Sequence, residues 1–168
     1  MRKTKAAFLD RDGTINKNYG YVIDKKKIKF LKNVVRSIKL LNKKKFLVII
    51  ITNQSGIARG LFKKKKLHDL HKWMKSTLKR QHAIIHDFYY CPYHPKFSKY
   101  SENANYMRKP NPGMIFKAMK EHNIDLSRSF MIGDSIKDKI AAKKAGLLFY
   151  KKKKNLLTIV KKAIQKIN

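Results

Sequence analysis

The sequence has few acidic residues: 10 of its 168 residues are aspartate or glutamate, against 42 lysines and arginines. Four of the ten acids nevertheless form two close pairs, Asp10 with Asp12 and Asp134 with Asp138. Carboxylate oxygens are the ligands that hard divalent cations prefer. Paired carboxylates in a chain this poor in acids therefore indicate a cation site.

Cysteine and long apolar segments are also scarce, and each shortage excludes a class of structure. Cys91 is the only cysteine, so no disulfide can form within the chain. The longest apolar run, 46–51, is too short to cross a bilayer, and we expect no membrane partner. Only residues 6–9 separate the basic start from Asp10, which is too short for a secretory signal, so we expect a cytoplasmic protein.

The formal net charge of +32 is compatible with a nucleic-acid-binding protein and with a lysine-rich surface. The basic residues comprise 35 lysines and 7 arginines, whereas arginine is preferred for bidentate contacts to phosphates and bases. The lysines also spread along the chain, in runs at 25–27, 43–45, 63–66 and 151–154. This pattern favours a lysine-rich surface, and we expect no specific nucleic-acid partner.

Apolar runs that predict buried strands alternate with helical patterns along the chain. The run 46–51 is continuous, as is typical of a central parallel strand covered on both faces. Shorter runs at 6–9 and 130–132 end in polar residues. The alternation predicts a single α/β domain over 1–168, built on a mostly parallel central sheet.

Two features of the chain's middle complete the predicted architecture. An irregular loop is expected at about 92–108. A helix is expected over 63–80, with His68 and His71 at its surface or boundary. One predicted helix and one strand use most of the residues between Asp12 and Thr52. A helix, a short strand and the loop fill the segment between Thr52 and Lys109, so no room is left for a separate cap domain.

Polar residues follow three of the predicted strands: Asp10 with Asp12, then Thr52, then Asp134. Residues i and i+2 of an extended segment point the same way, and the carboxyl ends of parallel strands share one edge of a sheet. Lys109 precedes a predicted helix and adds positive charge. Carboxylates, a hydroxyl and a lysine suit phosphoryl transfer, with one carboxylate as nucleophile and another as acid and base. The alternative is that aspartate and glycine merely form polar turns after buried strands.

These motifs resemble those of the haloacid dehalogenase superfamily of phosphatases. Its four motifs match, in order, Asp10-Arg11-Asp12-Gly13-Thr14, Thr52, Lys109, and Gly133-Asp134 with Asp138. Longer segments resemble the D-glycero-D-manno-heptose 1,7-bisphosphate phosphatase family: Asp10 to Asn16, Gly20-Tyr21-Val22, Thr52 to Gly60, Cys91-Pro92 and Arg108-Lys109-Pro110. The resemblance implies a three-layer, Rossmann-like haloacid dehalogenase fold with no separate cap. It implies a phosphatase that removes the 7-phosphate of the heptose bisphosphate, in the synthesis of ADP-heptose for lipopolysaccharide core.

The resemblance also implies roles for individual residues. Asp10 would be the nucleophile, Asp12 the acid and base, and Thr52 and Lys109 would stabilise the phosphoryl group. Mg²⁺ would be held by the carboxylates of Asp10 and Asp134 and by the backbone carbonyl of Asp12. The residues implied to contact substrate are Asn18, Tyr19, Gly20, Tyr21, Thr52, Asn53, Gln54, Ser55, Arg108 and Lys109.

The chain departs from the family at the structural zinc site that precedes the lysine motif. Cys91 is present, but Tyr93, Asn105 and Met107 stand where the resemblance would place the other three ligands. Structural zinc sites almost always use four ligands, and Cys91 with the out-of-register His94 would supply two. We therefore expect no structural zinc. The loop should then either be held by packing of Tyr93, Phe97, Tyr100 and Tyr106 or be more mobile than in the family.

Three other functions remain open from the sequence. The same motifs occur in histidinol-phosphate phosphatases, and a broader sugar-phosphate phosphatase would also fit. A basic nucleic-acid-binding domain on a retired phosphatase scaffold is the alternative from another class, although the intact acids argue against it. We expect a monomer whose partner is a small sugar bisphosphate.

Overall fold

The structure is a computed structural model that describes residues 3–153 and 155–167. Its strands are β1 (Ala6–Leu9), β2 (Leu47–Asn53), β3 (Asp87–Cys91), β4 (Phe130–Gly133) and β5 (Leu148–Lys151). Its α-helices are α1 (Val34–Lys43), α2 (Lys64–Lys79), α3 (Glu102–Tyr106), α4 (Gly113–Glu121), α5 (Ile136–Lys144) and α6 (Leu156–Ile167). Short 3₁₀ helices lie at Lys25–Lys27 and Leu126–Arg128.

The five strands form one parallel sheet in the order β3-β2-β1-β4-β5. The chain builds outward from β1 to β3 on one side, then returns to place β4 against the other side of β1. In open α/β sheets the ligand crevice lies at the carboxyl ends of the strands where the strand order reverses. Here that point is the end of β1, immediately before Asp10.

Helices cover both faces of the sheet, because successive side chains of the buried strands point to opposite sides. Ala7 and Leu9 of β1 pack in a core shared with α1, α2 and α6. Ala6 and Phe8 pack on the other face, against α4 and α5. The three-layer α/β architecture predicted from the sequence is therefore confirmed.

The edge of the sheet is covered by loops within the part of the chain that the structure describes, without a separate cap domain. Between β3 and α4 the only helix is α3, which lies inside the predicted loop at 92–108. It begins where the Ser101 side chain accepts a hydrogen bond from the backbone N–H of Ala104. Among residues 3–153 and 155–167, no helix is both long and apolar enough to cross a membrane.

Candidate active site

A cavity of about 400 Å³ opens where β1, β2 and β4 end. It is lined by Asp10, Asp12, Asn18, Gly20, Tyr21, Thr52, Asn53, Gln54, Ser55, Arg108, Lys109, Asp134, Ser135 and Lys137. All the residues that the sequence analysis singled out for catalysis, metal and substrate lie here except Tyr19. Tyr19 lines an adjoining cavity of about 580 Å³ that shares Tyr21 with the first.

A larger cavity, of about 650 Å³, lies at the amino ends of the strands and has a different chemistry. Its lining residues are Lys3, Thr4, Lys5, Lys44, Lys45, Arg128 and Ile167. The set contains no carboxylate and no nucleophile beside a base. Its lysines at 44–45 follow the end of α1, where cations complement the helix dipole. We therefore assign the chemistry to the smaller cavity.

Lys109 is the electrostatic centre of the site. Its Nζ donates hydrogen bonds to Oδ1 of Asp10 at 2.6 Å, to Oδ1 of Asp138 at 2.6 Å and to the Ile51 carbonyl at 2.9 Å. Burial alone would lower the pKa of this amine, but the charges of Asp10 and Asp138 outweigh burial and raise the pKa above its usual value. The lysine is therefore a fixed cation between two carboxylates.

Carboxylate oxygens of Asp10, Asp134 and Asp138 all lie within 4.8 Å of one another. Burial raises the pKa of Asp10 to about 7, although the Lys109 charge opposes the shift, and burial likewise raises the pKa of Asp134. Gly13 makes room for this cluster: its φ is +85°, and a Cβ there would lie 1.9 Å from Oδ2 of Asp134. The three carboxylates offer only oxygen ligands, and their negative charge exceeds the positive charge of Lys109. Such a cluster fits a hard divalent cation such as Mg²⁺.

Asp138 has a different place in this cluster from the other two carboxylates. Its Oδ1 accepts from Lys109, and its Oδ2 accepts from the backbone N–H and the hydroxyl of Ser135 at the start of α5. Both oxygens are thus engaged, which leaves Asp10 and Asp134 as the carboxylates available to a metal. The sequence analysis counted Asp138 among the paired acids that indicate a cation site; in the structure both of its oxygens are hydrogen-bonded within the protein, and it anchors Lys109.

The Asp12 carboxylate lies outside the acidic cluster and is held by four donors. Arg11 donates from Nε and Nη2, Asn16 donates from Nδ2 at 2.9 Å, and Gln54 donates from Nε2 at 3.0 Å. The Gln54 amide also donates to Oγ1 of Thr52 at 2.9 Å. Because that hydroxyl oxygen accepts from Gln54, its own proton remains available to the cavity. The sequence gave no sign of the Asn16 and Arg11 contacts, which depend on how the chain turns after β1.

Three residues predicted to contact substrate also form hydrogen bonds within the protein. The Asn53 amide bonds the backbone of Lys109 in both directions, as acceptor and as donor. Arg108 donates from Nη1 to the Tyr93 carbonyl at 2.8 Å, which leaves its remaining donors for other groups. Asn18 uses its side-chain oxygen to fix the turn at Gly20, where φ is +81°.

The segment 92–108 is held mainly by polar contacts. Arg59 bonds His94 at 2.9 Å and lies over the Phe97 ring at 4.3 Å, while Cys91 donates from Sγ to the Ala104 carbonyl at 3.5 Å. The expected aromatic packing is confirmed for Tyr93, which is buried. Phe97, Tyr100 and Tyr106 are largely exposed, and of these rings Phe97 still packs against Arg59, so the expectation holds only in part. Arg59 joins the segment to the rest of the domain through His94, and the bond from Arg108 to the Tyr93 carbonyl links the two ends of the segment.

The structure also corrects, for His71, the expectation that both histidines of α2 lie at the surface or boundary of the helix. His68 is exposed, but His71 is buried, with 6% of its surface accessible. Its Nε2 lies 3.2 Å from Nη1 of Arg11. His71 follows Leu67 by four residues and precedes Met74 by three, so it belongs to the buried stripe of the helix.

Comparisons with known proteins agree with this geometry. A family model described as polynucleotide kinase 3 phosphatase matches residues 5–158. A D-glycero-beta-D-manno-heptose-1,7-bisphosphate 7-phosphatase of Haemophilus ducreyi is 40% identical over 85% of this chain and 79% of its own length. The enzyme of the same name from Rhodopseudomonas palustris is 44% identical over 84% and 79%.

Two solved structures resemble the whole fold. A putative haloacid dehalogenase-like phosphatase from Mesorhizobium loti has a TM-score of 0.85 and 31% identity, over 99% of this chain and 88% of its own. The D,D-heptose 1,7-bisphosphate phosphatase of B. bronchiseptica, complexed with magnesium and phosphate, has a TM-score of 0.83 and 25% identity. That match covers 96% of this chain and 99% of the other.

Proposed function

The chain belongs to the D-glycero-beta-D-manno-heptose-1,7-bisphosphate 7-phosphatase family of the haloacid dehalogenase superfamily, and we propose that it removes the 7-phosphate of that sugar bisphosphate. The observation that carries the proposal is the buried Lys109, which bonds the Asp10 carboxylate beside Asp134. A carboxylate can attack an anionic phosphoryl group only where cations offset the repulsion. The cavity supplies that charge at the end of β1.

We propose a two-step reaction through Asp10 and Asp12. An Asp10 oxygen attacks phosphorus and the bond from phosphorus to the sugar oxygen breaks, while a protonated Asp12 gives its proton to that leaving oxygen. Water then attacks the aspartyl-phosphate and gives a proton to the Asp12 carboxylate, and the bond from phosphorus to Asp10 breaks. The cycle ends with inorganic phosphate released, Asp10 free and Asp12 protonated again.

The remaining residues bind the phosphoryl group and the metal. Asp10 and Asp134 would hold Mg²⁺ through their carboxylates and Asp12 through its backbone carbonyl, and the bound cation would offset charge on the phosphoryl oxygens. Lys109 offers a fixed positive charge beside the nucleophile. Thr52 offers a hydroxyl proton, because its oxygen already accepts from Gln54.

The rest of the cavity would bind the sugar and its second phosphate. Asn18, Gly20 and Tyr21 line one side, and Tyr19 adjoins them; Gln54 and Ser55 line the other side with Asn53. Arg108 and Lys137 supply positive charge that the second phosphate would meet. A substrate with two phosphates is favoured over one with a single phosphate by this second region of positive charge.

The test is phosphate release from a panel: the heptose 1,7-bisphosphate, the heptose 1-phosphate, histidinol phosphate and other small sugar phosphates, each with Mg²⁺ and with a chelator. We expect the bisphosphate to have the highest kcat/KM, one phosphate to be released per molecule, and chelation to stop the reaction until Mg²⁺ is restored. A higher kcat/KM for histidinol phosphate would instead assign the chain to that reaction.

A parallel measurement separates the enzyme from a nucleic-acid-binding domain on a retired scaffold. With its formal charge of +32 the protein should bind DNA weakly and lose that binding steeply as salt rises. Salt-resistant, sequence-dependent DNA binding without phosphatase activity would overturn the proposal. We propose a monomeric enzyme of the cytoplasm, acting in the synthesis of ADP-heptose for lipopolysaccharide core.

A further inference from the structure

A buried polar chain runs from the Asp12 carboxylate into the core. Arg11 is fully buried, and it donates to Asp12 from Nε at 3.1 Å and from Nη2 at 2.9 Å. Its Nη1 lies 3.2 Å from Nε2 of His71, on α2. These hydrogen bonds therefore join a residue just after β1 to a helix on one face of the sheet.

The donors of Arg11 define the state of His71. A guanidinium has only N–H donors and no acceptor, so Nε2 of His71 must accept the hydrogen bond from Arg11. The imidazole is then neutral and carries its proton on Nδ1. Burial, aided by the nearby Arg11 charge, lowers the pKa of His71 to about 2, in agreement with a neutral ring.

The orientation of the His71 ring is fixed from a second side. The ring stacks on that of Phe88 in β3, with the ring centroids 4.2 Å apart and an interplanar angle of 19°. Stacking sets the plane of the imidazole, and so the direction from which Nε2 faces Arg11. The guanidinium is thus held at both ends, by Asp12 and by His71.

Arg11 can influence the reaction only through Asp12. Because Arg11 is wholly excluded from solvent, it cannot contact a substrate in the cavity. The Asp12 side chain, by contrast, is 18% exposed and lines the cavity. A carboxylate that gives a proton in one step and takes one in the next must stay aimed at the reacting oxygen, and small displacements cost rate.

We propose that Arg11 and His71 are positioning residues for the acid and base of the reaction. His71 holds the Arg11 guanidinium, and Arg11 holds the Asp12 carboxylate in the orientation that proton transfer needs. The inference rests on the proposed function, because it assigns a task to Asp12 within that mechanism. It adds two residues that touch neither substrate nor metal.

The test uses a pair of substitutions at His71 with matched size and different chemistry. His71→Leu removes the acceptor for Arg11, whereas His71→Gln keeps an oxygen that can accept. His68→Leu, three residues earlier on the same helix and exposed, is the control. Each variant is compared with the wild type for its melting temperature, for kcat and KM with the heptose bisphosphate, and for pre-steady-state release of p-nitrophenolate from p-nitrophenyl phosphate.

The two substrates separate the two tasks of Asp12. Nitrophenolate leaves without a proton donor, so phosphorylation of Asp10 should proceed at the wild-type rate in His71→Leu. Hydrolysis of the aspartyl-phosphate still needs Asp12 to take a proton from water, so the steady-state rate of nitrophenolate release should fall. The amplitude of the initial burst of nitrophenolate should then approach one molecule per active site. With the heptose bisphosphate we expect kcat to fall about tenfold, part of the contribution typical of general acid–base catalysis, with KM within about twofold. His71→Gln should recover most of kcat, and His68→Leu should match the wild type.

Several results would overturn the inference. They are equal losses in His71→Gln and His71→Leu, a burst rate that falls in proportion to the steady state, or a raised KM with unchanged kcat. If His71→Leu fails to fold, Arg11→Lys replaces it: this variant keeps the buried positive charge but cannot donate to Asp12 from two nitrogens. It should show the same burst of nitrophenolate as expected for His71→Leu. Wild-type rates in Arg11→Lys would also overturn the inference. If p-nitrophenyl phosphate gives the predicted burst while the heptose bisphosphate is not hydrolysed, the proposed substrate is wrong and the positioning role stands.

Discussion

The side-chain amide of Asn53 forms two hydrogen bonds with the backbone of Lys109, a residue 56 positions later in the chain. Its Oδ1 accepts from the Lys109 N–H at 3.1 Å, and its Nδ2 donates to the Lys109 carbonyl at 2.9 Å. The last residue of β2 is thereby joined to the segment that carries Lys109. This pairing fixes the backbone from which Nζ of Lys109 reaches Asp10 and Asp138.

Asn53→Ala should therefore lower catalysis as well as stability. Two neutral hydrogen bonds contribute about 1 kcal/mol each to the free energy of unfolding, so we expect a loss of about 2 kcal/mol. We also expect kcat to fall at least about tenfold, because a small displacement of a positioned group costs that much or more. Urea unfolding and phosphate release measure the two effects.

Asn42→Ala is a matched control for this prediction. Asn42 makes the same pair of hydrogen bonds with the backbone of Ile84, accepting at 2.8 Å and donating at 3.1 Å, away from the cavity. It should lose similar stability and keep its kcat. Equal kcat in the two variants would show that the Asn53 pairing has no part in placing Lys109.

Asp10→Asn should abolish turnover and the formation of aspartyl-phosphate. The amide is similar in size to the carboxylate but is a poor nucleophile, and it brings no negative charge to a metal. Acid-quenched protein from a reaction with radiolabelled substrate would measure the covalent phosphate. The exposed Asp69→Asn, which makes the same charge change on α2, should retain full activity. Normal turnover in Asp10→Asn would reject the nucleophile assignment.

His71 should make the protein sensitive to acid. Its pKa is about 2 in the folded protein, against an ordinary value of 6.5, because burial disfavours the charged ring. The unfolded chain therefore takes up a proton that the folded protein does not, and the stabilisation is complete above pH 6.5 and is lost as pH falls toward 2. Compared with His71→Gln, the wild type should lose free energy of unfolding at up to about 1.4 kcal/mol per pH unit below pH 6.5. A difference in the free energy of unfolding between wild type and His71→Gln that stays constant from pH 7 to pH 5 would contradict this.

Zinc should be absent from the segment 92–108, and Cys91→Ser should cost little stability. The Cys91 thiol is buried and donates a long hydrogen bond, of 3.5 Å, to the Ala104 carbonyl. Arg59→Ala should cost more, because it removes the bond to His94 and the contact with the Phe97 ring. Elemental analysis of protein purified without metal-affinity resin, with melting temperatures of both variants, tests this. Stoichiometric zinc, or a large fall in melting temperature on chelation, would show that the site has four ligands after all.

The sequence by itself determined the fold class and the main chemical groups of the site. Apolar runs that predict buried strands placed Asp10, Thr52 and Asp134 at strand ends, and parallel strands bring such ends to one edge of the sheet. These inferences are local or follow from topology, so they need no knowledge of side-chain contacts. The zinc ligands missing beside Cys91 were equally a matter of sequence.

Only the tertiary structure decided which side chains pair across the site. Arg11 and His71 lie 60 residues apart and Lys109 and Asn53 lie 56 apart, so no local pattern relates them. The helical stripe of α2 does include His71, but a buried polar side chain needs a partner, and that partner, Arg11, comes from the turn after β1. Asp138 likewise gained its role only when α5 placed it against Lys109. Long-range pairing depends on how helices pack on the sheet, and this packing is decided by the whole core rather than by any one segment.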